Sequence, residues 1–416
     1  MSTTAHIDKL FRQSYPRIIS VLLSRYGAYH LTDIENAVMD AYMSAIRTWP
    51  HRGMPDEPQA WLHTSAKNAY IDIQRKSARD QVRDNHYHIT QEQTTVNEID
   101  PEDVGDPELK LLFLICSPHL ARIDQLAFML KTLSGFGNRE IAQALMQKEE
   151  TIKKRLSRAR SNLKSKQVQF DWPEEAELQS RLSMVHRALY LLFNEGFYSS
   201  HPEQWVKKDL CLEAMRLCKY LTDHRLANAD SYALMSLMCF HISRYESRLD
   251  EDGNIILLSD QDRSHWDPFF INLGNHYITK SASSTTDKSK YQIEAYISAQ
   301  HCIAPSIDQT NWALLKELYK ALYHIEPQDM VLLNLVLVKL HLAEIDEAKA
   351  LFESIQVDRL QTNKSIYFMV GVELYSKVKD QFQIELLLEK AIQASDSKKE
   401  LSILQSRLKD IQDNKN

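Results

Sequence analysis

The fold is decided by Leu133 to Lys166, LSGFGNREIAQALMQKEETIKKRLSRARSNLKSK. The spacing predicts two short helices joined by a tight turn. Asn138 is placed to cap the first, because its side-chain oxygen can accept from the open amides of the first turn. Ile141, Ala142 and Leu145 then share one face. The second helix is expected from about Glu150, with Ile152, Leu156, Ala159 and Leu163 on its buried side. Its other faces carry Lys153, Lys154, Arg155, Arg158 and Arg160. Small Ala142 and apolar Ile152 suit a close helix crossing. This is the helix-turn-helix arrangement, whose second helix enters the DNA major groove. A cationic face gains there by releasing counterions from the phosphates. The same face is also what a merely solvated helix presents.

Working outward, 416 residues suffice for several domains. The apolar share, 44%, excludes a wholly disordered chain. Only 9 glycines punctuate the sequence, and strictly alternating Val, Ile and Thr runs are few, so the expected class is all-α. No apolar run reaches the roughly 18 residues of a membrane span, and MSTTAHIDKLFRQ lacks a signal-peptide core, which predicts a cytoplasmic protein with no membrane partner. Cys116, Cys211, Cys218, Cys239 and Cys302 form neither a CxxC pair nor a zinc-ligand spacing, and read as reduced core thiols. The net charge of −6 conceals a division. Residues 1–170 hold 23 basic and 20 acidic side chains, and Lys148 to Lys166 alone hold eight basic against two acidic. The basic charge is local, as a DNA-reading element requires.

The front of the chain reads as three helices. His6 to Tyr26 is amphipathic, with a bend expected at Pro16. Asp33 to Arg47 follows, apolar at Ala37, Val38, Ala41, Tyr42, Ala45 and Ile46. Three prolines in TWPHRGMPDEP are expected to stop it. The third helix, Gln59 to about Arg79, places Trp61, Leu62, Ala66, Ala69 and Ile73 inward.

The string DIENAVMDAYMSAIRTWPHRGMPDEPQAWLHTSAKNAYIDIQRK resembles region 2 of the extracytoplasmic-function group of bacterial RNA polymerase sigma factors. It has the acidic helix, the proline-bearing loop, then W-L-x-x-x-A-x-N-x-x-x-D-x-x-R-K. Residues 107–166, ending T-I-K-K-R-L-S-R-A-R, resemble region 4 of the same proteins. The resemblance implies core polymerase (the clamp of the largest subunit and the flap region) and promoter DNA as partners. Asp33, Glu35 and Asp40 would dock on the clamp. Trp49, His51, Arg52, Trp61 and Asn68 would read the minus-ten element, where an unstacked base is held by aromatic and amide groups. Lys67, Arg75, Lys76 and Arg79 would hold phosphate. Lys153, Lys154, Ser157 and Arg158 would read minus-thirty-five bases, with Arg155 and Arg160 on phosphates. Trp49 and Trp61 suit a core as well as a contact.

The expected organisation is region 2 over 1–80, a linker over 81–106, region 4 over 107–166, and a helical extension over 175–416. Within the extension, RALYLLFNEGFYS, DEDGNIILLSDQDRSHWD and YQIEAYISAQHC resemble the C-terminal part of one sigma subgroup, described as tetratricopeptide-like. The repeat signature itself is weak. Trp312, Leu315 and Tyr319 have the first-helix spacing, but the later alanine and proline positions do not follow. The loop Asp250 to Asp267 lacks the D-x-D-x-D-G order and terminal Glu of a calcium loop. Glu195, Asp260, Gln261, Asp262, Arg263, His265 and Trp266 show no nucleophile–base pair, and read instead as a buried network or a partner surface.

The expectation is therefore a non-enzymatic alternative sigma factor. It would need no cofactor or metal, and its fused all-α regulatory extension would be open to a regulatory protein. The other reading is a helix-turn-helix regulator with a ligand- or protein-binding helical domain.

Overall fold

Apolar residues recur at helical spacing through almost the whole chain, and every regular element among the described residues is helical. The computed structural model describes residues 3–84, 107–145, 147–166, 175–197, 208–248, 250, 256, 258, 260–282, 288–360, 364–395 and 398–413. The all-α expectation holds. The chain forms two units, Met1–Leu192 and Phe193–Asn416.

The first unit contains α1 (Thr3–Tyr26), α2 (Leu31–Arg52), α3 (Pro58–Asp84), α4 (Pro107–Ile115), α5 (Arg122–Thr132), α6 (Asn138–Ala144), α7 (Glu149–Ser165) and most of α8 (Glu175–Phe197). α1 packs on α2, α3 and α4, while α5 and α6 pack on α7. Tyr15, Ile19, Leu23, Ile34, Val38, Leu62 and Phe128 form its interior.

Two local expectations need correction. Pro50 does not stop α2, which continues to Arg52. A proline costs a helix its own N–H bond and crowds the carbonyl four residues back, but here the last turn still closes on Gly53, whose N–H donates to the Trp49 carbonyl at 3.0 Å. Gly53 then leaves the helix at φ +82, a conformation that suits glycine. The cap of α6 is Gly137 rather than Asn138. The Gly137 N–H donates to Glu140 Oε2 at 2.7 Å, so the side chain three positions on supplies the acceptor. The expected linker 81–106 lies outside the described residues after Asp84.

The second unit runs through α9 (Lys208–Asp223), α10 (Ala229–Ser243), α11 (Pro268–Ala282), α12 (Lys290–Ile303), α13 (Trp312–Ile325), α14 (Asp329–His341), α15 (Ile345–Ser354), α16 (Lys364–Lys377), α17 (Gln381–Ala394) and α18 (Lys398–Asp413). α10 is buried on all sides, between α9, α11 and α12. Gly274 of α11 permits that approach, because a Cβ there would stand 2.8 Å from the Phe240 ring. Hydroxyls join the same helices: Ser236 Oγ donates to the Gly274 carbonyl, and Ser281 Oγ to the Ala229 carbonyl, each at 2.8 Å. From α12 onward each helix packs on its neighbour in sequence, and α14 also packs on α16. All five cysteines are buried free thiols.

The turns after α14 and α16 are the same device. Ala343 (φ 58) and Lys379 (φ 57) stand in the left-handed region, 36 positions apart. In each turn the next N–H reaches back five residues, from Glu344 to the Lys339 carbonyl at 2.9 Å and from Asp380 to the Tyr375 carbonyl at 3.1 Å. Side chains are strained in that backbone conformation. Lys379→Gly is therefore expected to stabilise the second unit by about 0.5–1 kcal/mol, read by urea unfolding.

His301 is held neutral, its pKa pushed down to about 3 by burial and by Arg244, Arg263 and His341. His241 is lowered well below its usual range by burial, then by Arg244 and Arg248. The unfolded chain takes up protons at these histidines below about pH 6.5 while the folded chain does not. Stability should fall as pH drops from about 6.5 towards 3, and His301→Gln should make that fall shallower in urea titrations across the range.

Candidate nucleic-acid interface

The helix-turn-helix is built from α5, α6 and α7. The Phe136 N–H closes the end of α5 on the Leu130 carbonyl at 2.9 Å, with Gly135 at φ +68 making the reversal. The turn into α7 is tied by the Gln147 N–H to the Ala142 carbonyl at 2.9 Å. Ile152, Leu156, Ala159 and Leu163 are buried, as are Ile141, Ala142 and Leu145 opposite them. This is the inward stripe that the sequence spacing predicts.

The other faces of α7 divide by what meets them. Asp124, on α5, is 2% exposed and receives two arginines. Arg155 Nη1 donates to Asp124 Oδ1 at 2.8 Å, and Arg158 reaches both carboxylate oxygens from Nη2, at 2.9 and 2.6 Å. Half of the Arg158 side chain remains open to solvent. Arg160 turns towards α2, where its Nε and Nη2 donate to Glu35 at 2.6 and 3.1 Å. Burial works against the Arg160 charge, but the Glu35 carboxylate outweighs it and the pKa is raised. Near this pair lies a cavity of about 510 Å³, with Thr32, Asn36 and Met39 on one side and Ser157, Ser161 and Lys164 on the other. The Lys164 ammonium stands 4.5 Å from the centre of the Tyr29 ring. Lys153, Lys154 and Ser157 face solvent, Lys153 alongside Glu149 and Glu150 at 3.3 and 2.9 Å.

In the α2–α3 hairpin the expected residues fall into separate places. Trp49 is 3% exposed and meets half-buried Trp61 edge-on, with ring centres 5.4 Å apart. Trp49 thus sits in the core, with Trp61 at its rim. His51 and Arg52 are exposed at the end of α2, Asn68 is exposed on α3, and Lys67 is half-buried. Arg75, Lys76 and Arg79 are exposed further along α3, where neighbouring Gln74 donates to Asp33 at 2.9 Å. About 21 Å of helix separates Trp61 from Arg75, so these cations are not gathered round the tryptophans. Of the three acids expected to dock on polymerase, Asp40 is exposed, Asp33 is half-buried against Gln74, and Glu35 is buried against Arg160.

Sequence reasoning did not single out Asp124. Its signal is an acidic residue inside the apolar run RIDQLAFML, a position that demands a cation. In the second unit Arg263 and Trp266 are brought together and Gln261 Nε2 donates to the Ile256 carbonyl at 3.0 Å, whereas Asp260 and Asp262 are exposed. Asp262 Oδ1 accepts the Ser264 N–H at 2.9 Å, and Glu195 lies half-buried on the last turn of α8.

Residues 116–163 match the family model described as Sigma-70, region 4. Residues 181–282 match a Family of unknown function (DUF6596). An uncharacterized protein of Rhizobium meliloti (strain 1021) is 31% identical over 338 residues, covering 80% of this chain and 79% of that protein. No solved structure matches. Region 4 of sigma-70 is a DNA-binding transcription domain that implies contact with RNA polymerase and promoter DNA. No described helix is long and apolar enough to cross a membrane.

Removing the Asp124 charge leaves two arginines competing for a neutral amide. Asp124→Asn should destabilise the helix-turn-helix by about 1.5–3 kcal/mol, seen as loss of amide-exchange protection across α5–α7.

Proposed function

The chain belongs to the same family as the uncharacterized Rhizobium meliloti protein, and we propose that it is an alternative sigma factor of the extracytoplasmic-function group with a fused helical extension. The observation that carries this reading is the basic outer face of α7 on a helix-turn-helix that matches Sigma-70, region 4. On this reading Lys153, Lys154 and Ser157 face the minus-thirty-five bases, joined by Arg158 through its solvent-facing half. Arg155 and Arg160 hold phosphates only where their carboxylate partners release them.

At the front, His51, Arg52 and Asn68 are the exposed candidates for the minus-ten element. Trp61 is half-open to a flipped base, and Trp49 supports it from behind. Lys67, Arg75, Lys76 and Arg79 line α3 for the backbone. Asp33, Glu35 and Asp40 dock on the polymerase clamp, and for Glu35 that docking requires separation from Arg160. The division into region 2 (1–80), linker (81–106), region 4 (107–166) and extension (175–416) belongs to the same reading. The paired turns at Ala343 and Lys379 support a tetratricopeptide-like repeat in the extension, whose role is regulatory.

The test is run-off transcription with core polymerase and the full chain. Initiation should depend on this protein, and the double variant Lys153→Glu, Lys154→Glu should lower promoter-dependent transcript at least about tenfold. The same variant should relax the preference for promoter over unrelated DNA in competition binding. A chain that ignores core polymerase and binds palindromic DNA as a dimer would instead be a simple helix-turn-helix regulator.

A further inference from the structure

The second unit holds two arginines with no described carboxylate beside them. Arg244, just after α10, is 9% exposed, and Trp266 is 5% exposed. The Arg263 guanidinium carbon stands 4.6 Å from the centre of the Trp266 ring, and that of Arg244 stands 5.8 Å from it. His301, near the end of α12, is 9% exposed and joins them through its backbone, whose carbonyl accepts from Arg263 Nη1 at 2.6 Å. The Ala304 carbonyl accepts from the same nitrogen at 2.6 Å, and Arg244 Nη2 lies 3.2 Å from His241 Nδ1. These contacts explain one nitrogen of each arginine: Arg263 closes the C-terminal end of α12, and Arg244 rests on a neutral imidazole.

They leave the rest unexplained. Arg244 Nε, Arg263 Nη2, Trp266 Nε1 and His301 Nδ1 are all buried without a hydrogen-bond partner among the described residues, as is Gln261 Oε1. Each buried donor left unmade is costly, and one ligand with several acceptors would satisfy these donors together. Two guanidiniums sharing one indole add their mutual repulsion. Burial lowers the Arg263 pKa, and Arg244 lowers it further. In the first unit Arg155 and Arg160 each meet a carboxylate.

We propose that Arg244, Arg263 and Trp266 form a binding site for a small oxyanion, either free phosphate or the phosphate group of a small metabolite. A tetrahedral oxyanion supplies what the cluster lacks: negative charge, and several acceptors for guanidinium and indole N–H groups. The neutral ring of His301 adds a polar atom without adding charge. Arg263 is half-buried on a short exposed turn, and shares the Trp266 ring with the deeper Arg244. The site lies within residues 181–282, the stretch that matches the family of unknown function. It stands independently of what the helix-turn-helix binds.

The full chain is to be melted in phosphate and in chloride at matched ionic strength, with adenosine monophosphate as a second arm. Phosphate stabilises many proteins by exclusion from their surface, so the variants Arg244→Gln, Arg263→Gln and Trp266→Phe decide the matter. Saturating phosphate should raise the wild-type midpoint by about 2–8 °C over chloride, and each arginine variant should lose most of that rise. A larger rise with the nucleotide at equal concentration identifies a phosphorylated metabolite. An equal or smaller one identifies free phosphate. Equilibrium dialysis of the wild-type chain with radiolabelled phosphate keeps the test open where a variant fails to fold, and one phosphate per chain is expected. The proposal is overturned by equal phosphate rises in wild type and folded arginine variants, or by no retained phosphate in dialysis.

Discussion

A helix that reads DNA must be fixed on one side and open on the other, and in α7 the buried carboxylate of Asp124 does much of the fixing. The apolar stripe of Ile152, Leu156, Ala159 and Leu163 sets which way the helix faces. Apolar contact is non-directional, however, and leaves the helix free to slide. The two-oxygen grip of Arg158 on Asp124, with Arg155 on the same group, sets the register of α7 against α5. Charge-assisted forks of this kind are short and directional. Lys153, Lys154 and Ser157 are consequently held at fixed positions on the outer face, which base recognition needs more than it needs raw charge.

The second buried carboxylate of this unit, Glu35, joins helices that are 125 residues apart in sequence. It is 6% exposed and takes the full fork of Arg160, beside Tyr15, whose hydroxyl is kept protonated by burial and by Glu35 itself. Separating Glu35 from Arg160 would leave an unpaired charge on each side unless water or a partner replaced it. A polymerase surface offering a cation to Glu35, and a DNA phosphate offered to Arg160, would be such replacements. The closed pair and the two proposed contacts are therefore alternatives.

Helix class and the inward stripes were legible because helical periodicity is local: Ile141 and Leu145, or Ile152 through Leu163, announce a buried face within one or two turns of sequence. The resemblance also brought the correct region 4. The partners of the cations were not legible. Nothing within four residues of Arg160 reveals that Glu35 receives it, and Asp124 lies more than thirty positions from the arginines it binds. Long-range pairing depends on how helices cross, and that is absent from periodicity. Pro50 and Gly137 failed for a smaller reason. Turn rules name the favoured residue, whereas a helix can carry a proline in its last turn, and a neighbouring Glu140 can supply the cap that Asn138 was expected to give.

Within the second unit the buried cations fall into two kinds, those with a described partner and those around Trp266. The second unit satisfies its other buried polar groups well. Lys339 meets both Glu344 and Glu347, Arg248 donates to the Phe197 carbonyl at 2.7 Å, and Gln292 Nε2 donates to both the carbonyl and the hydroxyl of Ser281. The cluster around Trp266 therefore stands out within the same core that Phe240, Ala299 and Cys302 complete. Apolar side chains of similar volume at Arg244 and Arg263 would fill that space without desolvating two charges. Keeping two guanidiniums there is destabilising unless something negative joins them, and an oxyanion brings both the charge and several directional acceptors.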